Sequence, residues 1–149
     1  MNPKSIAWLR NLHACGEAVE WAGEQKSAAE AWKNCERGEW MLWLLGKLSG
    51  KPESEKRKRL VLAACECARL SLKYVPKGEK RPLVAIQTAE KWTRGEATIE
   101  EVRTAAHAAT YAAAYAALAA LAARKKVLSR CADIVRKHYP NPPRIRGKA

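Results

Sequence analysis

The sequence predicts an all-α protein, a single-domain bundle of about six or seven helices with a long alanine-rich helix near the C-terminus. Apolar residues recur at helical spacing along most of the 149 residues. Gly and Pro are few and lie between the periodic segments. In 105–123, thirteen of nineteen residues are alanine, the strongest helix former. We place the helical domain at 1–139 and a basic, Pro-rich tail at 140–149.

Capping signals set the expected helix boundaries. Asn2 before Pro3, and the capping boxes that begin at Ser27 and Thr98, are typical of helix starts. The predicted helices cover about 3–22, 28–35, 39–49, 54–74, 82–93 and 99–138. The helix at 39–49 is apolar on nearly all sides, so we expect it to be the most buried element.

The last predicted helix is too long to be straight. Unbroken over 99–138 it would extend about 60 Å, which exceeds the diameter of a domain of this size. We therefore expect a bend or break near Ala122–Val127, where the cluster Arg124-Lys125-Lys126 suits a helix C-terminus. One face carries a stripe that we interpret as packing, with a binding groove as the alternative: His107, Tyr111, Tyr115, Leu118 and Ala122.

Positive charge is concentrated beyond the first third of the chain. The net charge is +13; residues 1–50 hold six basic and six acidic side chains, whereas 101–149 hold ten and two. The basic clusters lie at 56–59, at 124–126 and in the tail at Arg144, Arg146 and Lys148. Such clusters favour anionic partners, either nucleic acid or an acidic protein surface, and can also serve only solubility.

Motifs for chemistry do not appear in the sequence. Phosphate loops, nucleophile elbows and zinc-protease motifs have no match. Five cysteines without a secretory signal favour buried, reduced thiols, and their spacing does not suit zinc. We expect neither metal nor cofactor. An enzyme is the third functional hypothesis, and it would need a pocket near Glu66 and Asp133.

Polar residues within apolar helices are the candidate sites. We expect Arg37 and Glu39 to cap helix ends beside the tryptophans at 40 and 43. Glu66 with Arg69, and Asp133 with Arg136, are spaced to form ion pairs that fix helix register or, alternatively, line one anion pocket. The candidate residues for binding a protein or an anion are Arg37, Lys56, Arg57, Lys58, Arg59, Arg124, Lys125, Lys126, Arg130, Asp133, Arg136 and His138.

Four strings, spread over about 8–142, resemble bacterial and phage helical proteins related to the immunity protein 5 group found near polymorphic toxins. They are Trp32-x-x-Cys35-x-Arg37-Gly-Glu39-Trp40-Met-Leu-Trp43-Leu, Ala63-Ala-Cys65-Glu-Cys-Ala-Arg69, Arg81-Pro82-x-x-Ala85-Ile86 with Trp92, Arg94 and Gly95, and Cys131-Ala-Asp133-Ile-Val-Arg136-Lys-His138-Tyr-Pro140. The resemblance implies an all-helical protein that neutralises a toxin by binding it, and it assigns no chemistry to these residues. A charge of +13 is more basic than such a role requires.

Two functional hypotheses lead. In the first, the chain binds and inhibits a protein partner, either a toxin or, for a phage protein, a host defence component. In the second, the basic clusters bind nucleic acid, with affinity that falls steeply as salt rises. No segment is long and apolar enough to span a membrane, so we expect a cytoplasmic protein in a bacterial cell or a phage-infected host. The oligomeric state is left open.

Overall fold

The computed structural model describes residues 1–119 and 121–144. These residues form an all-helical bundle and contain no strand. Eight α-helices are present in them: α1 (Pro3–Asn11), α2 (Gly16–Glu24), α3 (Ala28–Asn34), α4 (Gly38–Leu48), α5 (Glu55–Arg69), α6 (Arg81–Thr93), α7 (Ile99–Ala119) and α8 (Arg124–His138). Short 3-10 turns at Leu72–Tyr74 and Leu121–Ala123 follow α5 and α7. The predicted fold class is confirmed. None of the described helices is long and apolar enough to cross a membrane.

The predicted first helix is two helices. Asn2 caps α1 as expected, since its Oδ1 accepts from the Ser5 backbone N–H at 2.8 Å. The chain leaves the helix after Asn11, and His13 takes a left-handed conformation with φ of 63°. A non-glycine residue rarely adopts this conformation inside a helix. A single helix to Ala22 was therefore the wrong prediction, and α2 starts afresh at Gly16.

Helix α7 packs through its alanines. Its start is a full capping box: the Glu101 N–H donates to Thr98 Oγ1, and the Thr98 N–H donates to Glu101 Oε2 at 2.6 Å. Ala109, Ala112 and Ala116 are buried at spacings of three and four, and α7 packs chiefly on α6. Small side chains let the two backbones approach closely, which explains why alanine suits this face.

The prediction that His107 and Ala122 belong to a packed stripe is therefore wrong. His107 and Ala122 are exposed, and the packed face is rotated away from them onto the buried alanines. The side chains of Tyr111, Tyr115 and Leu118 lie outside the described residues. The spacing of the apolar residues correctly predicted a helix. It did not show which face of that helix packs, because alanine lies on every face.

The expected interruption of the last helix is confirmed. Helix α7 ends at Ala119 and α8 begins at Arg124, with the 3-10 turn between them. The cluster 124–126, however, forms the first turn of α8 and no helix C-terminus. Cations at this end oppose the helix dipole, so the prediction of a favourable dipole interaction was wrong.

The core lies where α8 crosses α4 and α5. Ala132 and Val135 of α8 are completely buried, and Met41 of α4 is 2% exposed. Gly38 touches α8 so closely that a Cβ there would lie 2.4 Å from Cys131 Cβ. Glycine at 38 therefore sets the α4–α8 distance. In α4, Gly38, Met41 and Leu45 are buried and only Lys47 is exposed. This is a smaller exposed share than in any other helix whose side chains are all described, so the prediction that α4 is the most buried element agrees with the structure.

Candidate functional site

Arg136 connects α8 to the end of α3. Its Nη2 pairs with Asp133 at 2.7 Å, as the spacing predicted. Its Nη1 donates to the backbone carbonyls of Cys35 at 2.8 Å and Trp32 at 3.2 Å. These carbonyls lie in the last turn and C-cap of α3 and lack helical partners. Arg136 therefore caps α3, a contact that sequence spacing did not indicate.

The predicted Glu66–Arg69 pair does not form. Glu66 Oε1 lies 2.8 Å from His138 Nε2, and Lys137 approaches Oε2 at 3.4 Å. The hydrogen bond with His138 is the main reason that the pKa of Glu66 is lowered. Arg69 instead makes a bidentate pair with Glu90 of α6. Polar pairs between residues far apart in sequence therefore fix the register of α5 relative to α6 and α8.

A shared pocket of Glu66, Arg69, Asp133 and Arg136 is also not formed. Glu66 pairs with His138 of α8 and Arg69 with Glu90 of α6, whereas Asp133 and Arg136 pair with each other. Neither of the two cavities described below is lined by Glu66 or Asp133. Neither cavity therefore corresponds to the pocket that the enzyme hypothesis required.

The basic cluster 56–59 is largely occupied by intramolecular contacts. Lys58 pairs with Glu55 at 2.9 Å. Arg57 donates to the carbonyls of Gly46 and Gly50, at 3.4 and 3.3 Å. The Arg59 guanidinium lies 4.8 Å from the centre of the Tyr139 ring and donates to the His138 carbonyl. Lys56 is exposed. Most of this cluster therefore holds α5 against neighbouring segments.

The cations of α8 are more accessible. Arg124, Lys125, Lys126 and Arg130 are all exposed, and none of them forms an ion pair with another described residue. Three adjacent cations at a helix N-terminus carry a small electrostatic cost. An anionic group bound there would relieve it. Of the tail cations, Arg144 is exposed, whereas the predictions for Arg146 and Lys148 lie outside the described residues.

An open groove of about 860 Å³ lies beside these cations. We call it the junction groove, because the α7–α8 junction contributes Leu121, Arg124 and Lys125, and the opposite wall contributes Glu17, Trp21 and Arg37. Leu121 is 59% exposed, the highest value among the large apolar side chains described. The groove therefore combines an accessible apolar residue with arginine, lysine and tryptophan.

Arg37, in the wall of the junction groove, contacts three other side chains. Its guanidinium pairs with Glu17 at 2.7 Å and Glu39 at 2.5 Å, and lies 4.3 Å from the centre of the Trp40 ring. Arg37 stands at the start of α4 but makes no side-chain cap hydrogen bond there, so the expectation that its side chain caps a helix end was wrong; instead it packs on the Trp40 ring. Hydrogen bonds with Glu39 and Glu17 raise the pKa of Arg37, which keeps this side chain charged.

A second cavity, of about 420 Å³, is lined mainly by apolar residues of α1 to α4. Five of the six tryptophans contribute to it, and we call it the tryptophan cavity: Trp8, Trp21, Trp32, Trp40 and Trp43, with Glu39 at the wall. Pro142 and Pro143 complete its lining from the C-terminal side. Sequence reasoning missed this site. Its signal was the concentration of tryptophan in residues 1–50.

Four of the five cysteines are buried as predicted, while Cys15 is exposed, and all five are free thiols. Burial raises the pKa of Cys65 to about 11 and also raises that of Cys35. A hydrogen bond with Cys131, together with burial, raises the pKa of Cys67. The same hydrogen bond lowers the pKa of Cys131. The raised pKa values of Cys35, Cys65 and Cys67 keep those three thiols protonated, which disfavours nucleophilic chemistry at them. The described residues contain no group of His, Cys, Asp or Glu arranged to hold a metal ion.

Comparison with known proteins gives one match. A family model described as Imm-5 like putative immunity protein matches residues 50–132, which is more than half of the chain. The matched region runs from the loop before α5 into the core of α8. The tryptophan cavity is therefore lined entirely by residues outside the match. No curated protein and no solved structure matches the chain.

Proposed function

Because this chain belongs to the Imm-5 like immunity protein family, we propose that it neutralises a protein toxin by forming a stoichiometric complex with it. The family gives an immunity-type role and a protein partner in general terms. A phage-borne copy would direct the same binding against a host defence protein. In either setting the chain acts by occupying a partner surface.

The junction groove is the surface that best supports this proposal. Protein interfaces are enriched in tryptophan and arginine, with an apolar centre and a polar rim. Here Leu121 is the accessible apolar residue, Trp21 lines the facing wall, and Arg124 and Lys125 stand at the edge. The partner should present an apolar side chain surrounded by carboxylates, because the exposed charge at the α7–α8 junction is positive.

Affinity capture of a toxin from host lysate, followed by coexpression with the captured toxin, tests the proposal. The expected result is protection of the host cell and a one-to-one complex that survives nuclease treatment and gel filtration. The variant Arg124→Glu/Lys125→Glu should lose protection. Its matched control, Lys77→Glu/Lys80→Glu, makes the same change of net charge at exposed residues that line neither cavity. Equal protection by both variants would count against the junction groove.

Nucleic-acid binding is the second candidate, and the exposed cations at 124–126 and Arg130 favour it. A protein that neutralises several phosphates loses affinity steeply as salt rises. Fluorescence anisotropy with labelled duplex DNA and single-stranded RNA would detect this dependence. The variant Lys125→Glu/Lys126→Glu should then weaken binding and flatten the salt dependence. The lack of binding at low salt would eliminate this candidate.

A further inference from the structure

The tryptophan cavity has the size and lining of a small-molecule site. Its volume of about 420 Å³ lies within the range of roughly 300–1,000 Å³ typical of ligand pockets. Its walls come from four short helices, and α1 packs chiefly on α2. The apolar face of α4 that we expected to be covered by protein, including Trp40 and Trp43, instead borders this space. A ligand would remove that apolar surface from water.

One charged group at the cavity wall is incompletely paired. Glu39 Oε1 pairs with Arg37, but Glu39 Oε2 is buried and has no hydrogen-bond partner among the described residues. A buried acceptor without a donor is costly. Because the carboxylates of Glu39 and Glu17 share the single guanidinium of Arg37, this group of three side chains keeps a net negative charge, which favours a ligand with a positive group.

The tryptophan rings that line the cavity also favour a positively charged ligand. The face of an indole ring attracts cations, and tryptophan does so most strongly among aromatic residues. The molecule already uses this interaction here: Arg37 lies over Trp40, and Lys47 lies 5.6 Å from the centre of the Trp43 ring. Trp21 and Trp40 are tilted at 54° with ring centres 5.9 Å apart, so they form a corner.

We propose that the tryptophan cavity binds a small organic ammonium ion with an apolar or aromatic body. The body occupies the space between α1, α2 and α4, and the ammonium group lies against the tryptophan rings on the side of the cavity that Glu39 lines. This proposal does not rest on the immunity role, because a ligand in this cavity leaves Leu121, Arg124 and Lys125 of the junction groove accessible.

Titration of the purified full chain, followed by tryptophan fluorescence, tests the proposal. The probes are phenethylammonium, phenethyl alcohol and phenylacetate, which differ mainly in charge. A single cation–π contact at a partly desolvated site is worth enough for about a tenfold preference. Phenethylammonium should therefore bind saturably and at least about tenfold more tightly than the alcohol, and phenylacetate should bind most weakly. No saturable binding, or equal binding of the alcohol, would overturn the proposal.

Three variants locate the site. Glu39→Gln keeps an oxygen for Arg37 and should abolish the preference for the ammonium probe. Ala18→Leu places a larger apolar side chain at the cavity wall and should weaken all three probes. Glu36→Gln is the matched control, since Glu36 lies in the junction groove and not in the tryptophan cavity. An unchanged ammonium preference in Glu39→Gln, with the native circular dichroism spectrum, would show that the proposal is wrong.

Discussion

At the scale of single residues, the contacts that hold this bundle together join positions far apart in sequence. Arg136 reaches carbonyls 101 and 104 residues away, and Trp32 Nε1 donates to the Tyr139 carbonyl at 2.8 Å. Sequence spacing identified the Asp133–Arg136 pair because both lie on one helix. It could not identify the α3 carbonyls, since every residue carries one and only the fold selects which remain unpaired.

Removing Arg136 should destabilise the bundle more than removing its ion-pair partner. In Arg136→Met the α3 carbonyls lose their donor, which costs about 1–3 kcal/mol for partly buried groups. Asp133 is largely exposed, so Asp133→Asn should cost less than about 1 kcal/mol. Urea denaturation of both variants measures the two free energies of unfolding. If the Asp133 variant loses as much stability as the Arg136 variant, the capping role is wrong.

The Glu66–His138 pair should make stability depend on pH in the acid range. The pKa of Glu66 is lowered from 4.5 in the folded protein, so ionised Glu66 stabilises the fold above its unfolded pKa. This contribution is lost as the pH falls through the lowered folded pKa. Urea denaturation at several pH values should show native protein and Glu66→Gln converging below about pH 4. A difference that grows towards acid pH would contradict the assignment.

At the scale of helices, local signals predicted the starts well and the packing faces poorly. The caps at Asn2, Ser27 and Thr98 all form, because a cap depends on residues three positions apart. The break after α7 followed from length alone. The sequence could not show which face of α7 packs against the bundle, because alanine suits the buried and the exposed face of a helix equally well.

Substitutions on α7 should distinguish its packed face from its exposed one. Ala112 is 4% exposed on the helix that packs against α6, so Ala112→Leu should cost about 1–3 kcal/mol through overpacking. Ala108 is exposed, and Ala108→Leu is the matched control, with an expected change within about 0.5 kcal/mol. Thermal denaturation of both variants measures the two changes in stability. Similar melting temperatures for the two variants would refute the packed face described above.

At the scale of the whole molecule, net charge and tryptophan are concentrated in different parts of the sequence. The neutral first fifty residues contain five of the six tryptophans, and the remainder carries the whole net charge of +13. The fold joins these two parts at the junction groove, where Trp21 and Arg37 face Leu121, Arg124 and Lys125. The fold class could be predicted from periodicity and composition. Neither cavity could, because each combines residues from helices whose relative placement the sequence does not encode locally.

Calorimetric titration of the purified chain with a captured toxin would test the immunity role directly. We expect saturable one-to-one binding, with affinity reduced at least about tenfold by Leu121→Glu, because hot-spot residues near the centre of an interface each contribute about 2 kcal/mol or more. Val84→Glu, a change at another exposed apolar residue, should bind as the native chain does. Equal binding by all three proteins, or no binding by the native chain, would contradict the account.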